Sequence, residues 1–225
     1  MDKETDRKII EVRQSVTGVN DRLAEKLRKT FSDSGIWVLN LVSSPGAGKT
    51  SLIERTIEEF KSSCSILVIE GDPHTSLDSD RINAMGVRGI QINTRGGCHL
   101  DARMISQALE TADLNAIDMI IIENVGNLLC PAAWDLGQNH TAVVGSLTEG
   151  EDKPLKYPET FIRSQTLVIN KIDLKPYLPP SSENLAANAL QVNPSLKIFH
   201  VSCATGTGLE DWFEWVSACI GRNQF

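Results

Sequence analysis

The residues most suggestive of chemistry form one short run, Ser43-Ser44-Pro45-Gly46-Ala47-Gly48-Lys49-Thr50-Ser51, between an apolar stretch and a helical pattern. This is the setting of a phosphate-binding loop. Glycines let successive backbone N–H groups wrap a β-phosphate, and the helix that follows adds positive potential at its N-terminus. Lys49 is placed to reach the β- and γ-phosphates and the Thr50 hydroxyl to ligate Mg²⁺. Gly46, Ala47, Gly48 and Ser51 complete the cradle. The first position of the usual G-x-x-x-x-G-K-[ST] pattern is Ser43, a small residue that still permits the turn.

A phosphate loop alone does not select a base, and an ATP-dependent kinase or partition-type ATPase shares it. Residues 167–173 read Leu-Val-Ile-Asn-Lys-Ile-Asp, an apolar run ending in Asn-Lys-x-Asp about 120 residues after the phosphate loop. The Asp173 carboxylate matches the paired N1 and N2 donors of guanine, and adenine has no such pair. Asn170 can bond N7 and brace neighbouring loops, and the stem of Lys171 can pack on the ring face. Ser202-Cys203-Ala204, after the run 197–201, can bring a backbone N–H to guanine O6. The expected ligand is GTP or GDP.

Two acids complete the expected hydrolytic set with Lys49 and Thr50. Asp72, in Glu70-Gly71-Asp72-Pro73, and Glu123, in Glu123-Asn124-Val125-Gly126, are expected at Mg²⁺, directly or through its water. Glu123 stands where D-x-x-G loops carry Asp, and the Gly126 N–H can meet the γ-phosphate. Such segments order on a triphosphate and relax after hydrolysis.

A second set has soft donors. Cys98 and His99 are adjacent, just before a helical pattern, and Cys130-Pro131 follows the Glu123 segment. Thiolate and imidazole suit Zn²⁺ and Ni²⁺, and a helix N-terminus beside Cys98 would favour its thiolate. A structural zinc site needs four ligands in one shell, so two subunits sharing a face could complete it. Asp101 and His140 are further candidates. The alternative is three unconnected residues, with the cysteines as small buried hydrophobes. Cys64, Cys203 and Cys219 read as structural, His74 and His200 as loop or core residues, and Trp134, Trp212 and Trp215 as packing residues.

These residues need a scaffold. The chain has 225 residues with 41% hydrophobic and 23% charged, an ordinary globular composition. Lys plus Arg is 22 and Asp plus Glu is 29, so the formal charge is 22 − 29 = −7. Without a basic stripe, nucleic acid is not an expected partner. The apolar runs are far shorter than the ~20 residues of a membrane helix. The N-terminus has no apolar signal core, and an odd set of five cysteines fits a reducing compartment, so a cytoplasmic protein is expected. Apolar spacing predicts helices over 5–16 (Ile9, Val12, Val16) and 20–33 (Leu23, Leu27, Phe31), interrupted at Gly18 and the possible cap Asn20. Buried strands are predicted at 36–42, 65–69, 87–92, 117–122, 142–147, 166–169 and 197–201. Helices are predicted at 50–62, 76–85, 100–112, 157–163, 183–191 and 208–220. The expected fold class is α/β, a single P-loop NTPase domain over 36–225 with a mostly parallel twisted sheet flanked by helices, preceded by an N-terminal helical segment over 1–35. Ligands in such sheets bind beyond the carboxyl ends of the strands, where the unusual residues fall.

Together the motifs resemble the hydrogenase nickel-incorporation GTPases, the HypB family of SIMIBI-type GTPases. The resemblance runs from about Asn40 to Leu209. It is carried by Asn40-Leu-Val-Ser-Ser-Pro-Gly-Ala-Gly-Lys-Thr, Ile69-Glu-Gly-Asp, Asp78-Ser-Asp-Arg-Ile, Gly96-Gly-Cys-His-Leu-Asp-Ala, Glu123-Asn-Val-Gly-Asn-Leu-Leu-Cys-Pro, Glu149-Gly-Glu-Asp-Lys-Pro-Leu-Lys-Tyr-Pro and Asn170-Lys-Ile-Asp-Leu. It implies GTP hydrolysis coupled to nickel delivery into [NiFe]-hydrogenase. It implies Cys98, His99 and Cys130 as ligands of Ni²⁺ or Zn²⁺ at a nucleotide-promoted homodimer interface. Lys153 matches a family lysine that crosses toward the partner subunit's nucleotide, and Leu174 and Leu178 match interface leucines. The implied partners are a HypA-type nickel metallochaperone and the hydrogenase large subunit precursor. Some relatives carry a cysteine-rich or histidine-rich N-terminus; this chain has no Cys before 64 and no His before 74. The similar urease accessory GTPases place Pro between Cys and His, whereas here Cys98 and His99 adjoin. A metal-binding module with a purely structural nucleotide is the remaining alternative.

Overall fold

The structure is a computed structural model that describes residues 3–72 and 77–223, with side chains described for 17–72 and 81–221. The side chains of Ile9, Val12, Val16 and the motif residues Asp78 to Asp80 lie outside that description, as does the whole of His74. The chain opens with α1 (Lys3–Asp33) as one helix. The expected break at Gly18–Asn20 is absent. Mid-helix glycine costs only about 1 kcal/mol, and Asn20 is not a cap. Its buried amide donates to the Asp135 carbonyl (2.8 Å) and accepts from the Ala102 N–H (2.8 Å), so long-range bonds hold the helix straight through this point.

Next come β1 (Trp37–Ser43), α2 (Lys49–Phe60), β2 (Ile66–Asp72), α3 (Leu77–Ala84), β3 (Arg88–Asn93), α4 (Ala102–Leu109), β4 (Met119–Glu123) and β5 (His140–Ser146). The chain finishes with α5 (Lys153–Lys156), α6 (Pro158–Ile162), β6 (Thr166–Asn170), α7 (Asn184–Val192), β7 (Lys197–His200) and α8 (Leu209–Asn223). The seven strands form one sheet in the order β3-β2-β4-β1-β5-β6-β7. All the strand pairs run parallel. Every β1 residue is buried, as a central parallel strand covered on both faces requires. On one face Leu39, Leu41, Ile53, Ile57, Trp212 and Val216 pack α2 and α8 onto the sheet. On the other, Val38, Ile120 and Ile122 meet Ala24, Leu27 and Phe31 of α1 and Ile105 of α4. A third cluster seats α6 and α7 through Phe161, Leu185 and Ala189.

Some expected elements shift. The helix predicted at 100–112 starts at Ala102, because Asp101 is its N-cap and accepts from the Met104 N–H at 2.7 Å. The helix predicted at 157–163 is α6, and an unexpected short helix, α5, which carries Lys153, precedes it across a break at Tyr157 (φ −126, ψ 53). Among the described residues, no helix is long and apolar enough to cross a membrane.

Candidate nucleotide and metal site

The loop between β1 and α2 puts Gly46 and Gly48 in left-handed backbone, at φ +82 and +94. A Cβ on Gly48 would lie 2.3 Å from Asn170 Nδ2, so both the dihedral and the close approach require glycine there. Lys49 Nζ sits 3.0 Å from Glu123 Oε1, and the Thr50 hydroxyl donates to the same oxygen at 2.8 Å. Glu123 Oε2 is buried and has no hydrogen-bond partner. A buried carboxylate oxygen of this kind demands a cation or a donor. Beside Thr50 and Asp72 it fits a hydrated Mg²⁺. Thr50, Asp72, Glu123 and Gly126 line one cleft of ≈ 560 Å³ with Ser43, Ser44, Pro45 and Lys49.

A second cavity of ≈ 610 Å³ is lined by Asn170, Lys171, Asp173, Leu174, Cys203 and Ala204, and shares Gly48, Ser51 and Lys171 with the first. Asn170 braces it from both ends. Its Nδ2 donates to the Ala47 carbonyl (3.1 Å), and its Oδ1 accepts from the N–H groups of Lys171 (2.8 Å) and Cys203 (3.1 Å). Lys171 is left-handed at φ 63, a rare conformation for a non-glycine residue. Its Nζ reaches the Gly46 carbonyl at 2.7 Å, which lays its stem along the phosphate loop. Ser202 donates to Asp173 Oδ1 at 2.5 Å and so fixes the carboxylate plane. Arg55 Nε holds the Cys203 carbonyl at 2.9 Å. Burial pushes the Cys203 thiol up to about 11, so it stays protonated. A larger groove of ≈ 940 Å³ between α2 and α8 sets Glu58, Glu59, Glu210 and Glu214 against a single Arg55; that net negative field disfavours phosphate.

The soft donors meet at the next strand ends. The Cys98 thiol adjoins Cys130; its proximity, then burial, raises the Cys130 pKa, while Asn127 opposes the rise. Cys98 Sγ lies 3.6 Å from His99 Nδ1. The His99 ring stacks on Trp134 with centroids 4.3 Å apart and planes at 13°. Burial lowers the His99 pKa against the pull of Asp101, which keeps the imidazole neutral. Among the described residues, however, no three His, Cys, Asp or Glu side chains converge as a metal-holding group. Cys98 and Cys130 adjoin, the His99 imidazole faces Trp134, and among the described residues no closed shell of donors forms.

Other candidate residues have partners of their own within the chain. Asp101 is spent as the α4 cap, and it rather than Cys98 occupies the helix N-terminus. His140 is half-buried, accepts from Trp37 Nε1 at 3.1 Å and packs edge-on against Trp215. Lys153, expected to reach toward a partner subunit, donates to Ser44 Oγ of its own phosphate loop at 2.6 Å. Sequence reasoning also passed over Asn127, whose Oδ1 accepts from the N–H groups of Leu129 (2.7 Å) and Cys130 (3.1 Å). An asparagine three residues before a cysteine is the signal that was available.

The parallel sheet, the glycine loop leaving its central strand and the two adjoining cavities define a SIMIBI-type P-loop nucleotide-binding protein, and residues 37–200 match the family described as CobW/HypB/UreG, nucleotide-binding domain. The chain is 49% identical over 215 residues to hydrogenase maturation factor HypB of Rhizobium leguminosarum bv. viciae, covering 96% of this chain and 72% of that one. The crystal structure of HypB from Archaeoglobus fulgidus superposes with a TM-score of 0.84 at 38% identity, covering 90% of this chain and 99% of that one. HypB from Helicobacter pylori in complex with nickel gives 0.83 at 35%, covering 91% and 96%. The chain belongs to the HypB family of hydrogenase maturation factors.

Proposed function

We propose that this protein hydrolyses GTP and uses the terminal phosphate to control nickel held at the Cys98–Cys130 pair, delivering the metal during [NiFe]-hydrogenase maturation. Asp173 and Asn170 select guanine, and a backbone N–H of the 202–204 segment meets O6. The backbone of residues 46–51 and Lys49 cradle the phosphates. Thr50, Asp72 and Glu123 would hold Mg²⁺, which supplies charge neutralisation on the β- and γ-oxygens when bound. Lys49 offsets charge that develops on the transferred group. Gly126, where an added Cβ would lie 3.4 Å from Pro45 of the phosphate loop, donates its N–H to the γ-phosphate. Slow intrinsic turnover is expected, because no glutamine or arginine among the described residues lines the phosphate cleft.

The observation that carries this reading is the continuity of one segment. The chain passes from Glu123, bonded to Lys49 and Thr50, through Gly126 to Cys130. A triphosphate that orders this stretch tightens the thiol pair, and hydrolysis loosens it. A homodimer, with Leu174, Leu178 and Lys153 at its face, completes the ligand shell for Ni²⁺ or Zn²⁺, and Lys153 then exchanges its own Ser44 for the partner subunit. A HypA-type metallochaperone and the hydrogenase large subunit precursor are the proposed donor and acceptor, in the cytoplasm.

The test is Ni²⁺ affinity measured by chelator competition with GDP and with a non-hydrolysable GTP analogue. Coupling between sites typically changes affinity by about 5–150-fold, and the analogue state is expected to bind more tightly. Equal affinities would remove the switch, and absence of Mg²⁺-dependent turnover would favour a structural nucleotide. Cys98→Ala is expected to weaken nickel binding at least ~10-fold in titrations, since one of few soft ligands is lost, while GDP affinity stays within about threefold because no contact to the nucleotide cavities is removed.

A further inference from the structure

One fully buried polar side chain lines neither nucleotide cavity. Asn124 follows Glu123 and is 0% exposed. Its Oδ1 accepts from the Leu100 N–H at 3.2 Å and from its own neighbour Val125 N–H at 3.0 Å, and its Nδ2 donates to Asn40 Oδ1 in β1 at 3.3 Å. One amide therefore ties the loop that carries Cys98 and His99 to the loop that carries Gly126, and anchors both to the central strand.

Leu100 makes a second tie. Its side chain is fully buried and packs where a Gly71 side chain would stand: a Cβ there would lie 2.8 Å from Leu100 Cγ. Gly71 adjoins Asp72. The Cys98 loop is thus fastened to both strand ends that bear the expected Mg²⁺ acids, by a packed leucine at β2 and by an amide at β4. Asn127 separately fixes the Cys130 backbone. The two asparagines hold the two halves of the thiol pair, and only Asn124 bridges between different loops.

We propose that Asn124 is the positioning residue that couples the terminal phosphate to the metal pair: movement of the Gly126 loop is passed through its amide to Leu100 and so to Cys98. The inference rests on the switch reading above and names the contact through which it acts. Energetic coupling needs an element with two arrangements that both sites bias. A buried amide shared by two loops would supply the two arrangements, bonded and broken, because any shift of one loop must break or carry its bond to the other.

The test is the ratio of nickel dissociation constants with GDP and with the non-hydrolysable GTP analogue, in the full chain and in Asn124→Ala. The unaltered chain is expected to show a ratio of about 5–150, and the variant a ratio near 1, with GDP affinity and nickel affinity in the GDP state within about threefold of normal. A merely structural asparagine would lower the melting temperature and leave the ratio unchanged, and that result overturns the inference. Asn124→Asp, which keeps the acceptor for Leu100, is expected to retain part of the ratio. Amide exchange at Leu100 in the unaltered chain decides the matter if Asn124→Ala does not fold: protection should change ~10-fold or more between the GDP and analogue states, and equal protection overturns the proposal. A ratio of 1 in the unaltered chain would instead sink the switch reading itself.

Discussion

Lys49→Ala is expected to slow GTP hydrolysis by at least about 10²–10³-fold, the loss typical when one preorganised donor to a transition-state charge is removed. The effect should fall mainly on kcat, because backbone N–H groups of residues 46–51 still hold the ground-state phosphates. The nucleotide-free protein should also melt earlier. Lys49 lies 3.0 Å from a Glu123 carboxylate that is only 7% exposed, and without the lysine a buried charge keeps Thr50 alone as partner. Phosphate release in a single-turnover assay and a thermal melt check the two parts. Hydrolysis within about threefold of normal would remove Lys49 from the chemistry.

Asp173→Asn is expected to weaken GTP binding by roughly 10²–10⁴-fold and to raise the relative affinity for xanthosine triphosphate. Two charge-assisted hydrogen bonds of about 1.5–3 kcal/mol each are lost with guanine. The complement of an asparagine is a ring that offers an acceptor where guanine offers a donor. Ser202→Ala, which frees Asp173 Oδ1 from its 2.5 Å bond, should act in the same direction with an effect of only about fivefold. Nucleotide competition titrations separate these outcomes. Unchanged discrimination in Asp173→Asn would place base recognition elsewhere and reopen the ATPase alternative.

The features that could be read from the chain are the local ones. A glycine loop between a buried strand and an amphipathic helix declares itself within nine residues, because the dihedrals, the lysine and the hydroxyl must all sit on contiguous backbone. Asn-Lys-x-Asp at a strand end is equally compact. Strand runs were legible because parallel strands are apolar on both faces. What escaped depends on contacts distant in sequence. Gly18 and Asn20 look like a helix break until Asn20 is seen bonded across 115 and 82 positions to Asp135 and Ala102. Lys153 meets Ser44 across 109 positions, and nothing near either residue marks the pair. His140 and Asp101 are candidate ligands by type, and nothing near them in sequence announces their bonds to a tryptophan indole and a helix N-terminus. Asn124 is the sharpest case: its neighbours in sequence suggest only a loop, and its function as a bridge exists only once β1, β4 and the Cys98 loop are side by side.

The most direct measurement is a single turnover in which the nickel-loaded protein, bound to GTP, is mixed with Mg²⁺ and a chromophoric chelator while phosphate and free nickel are followed together. Nickel should reach the chelator with the rate constant of phosphate release, and should leave at least ~5-fold more slowly with a non-hydrolysable analogue. Nickel leaving at the same rate with either nucleotide would contradict the link between the terminal phosphate and the thiol pair.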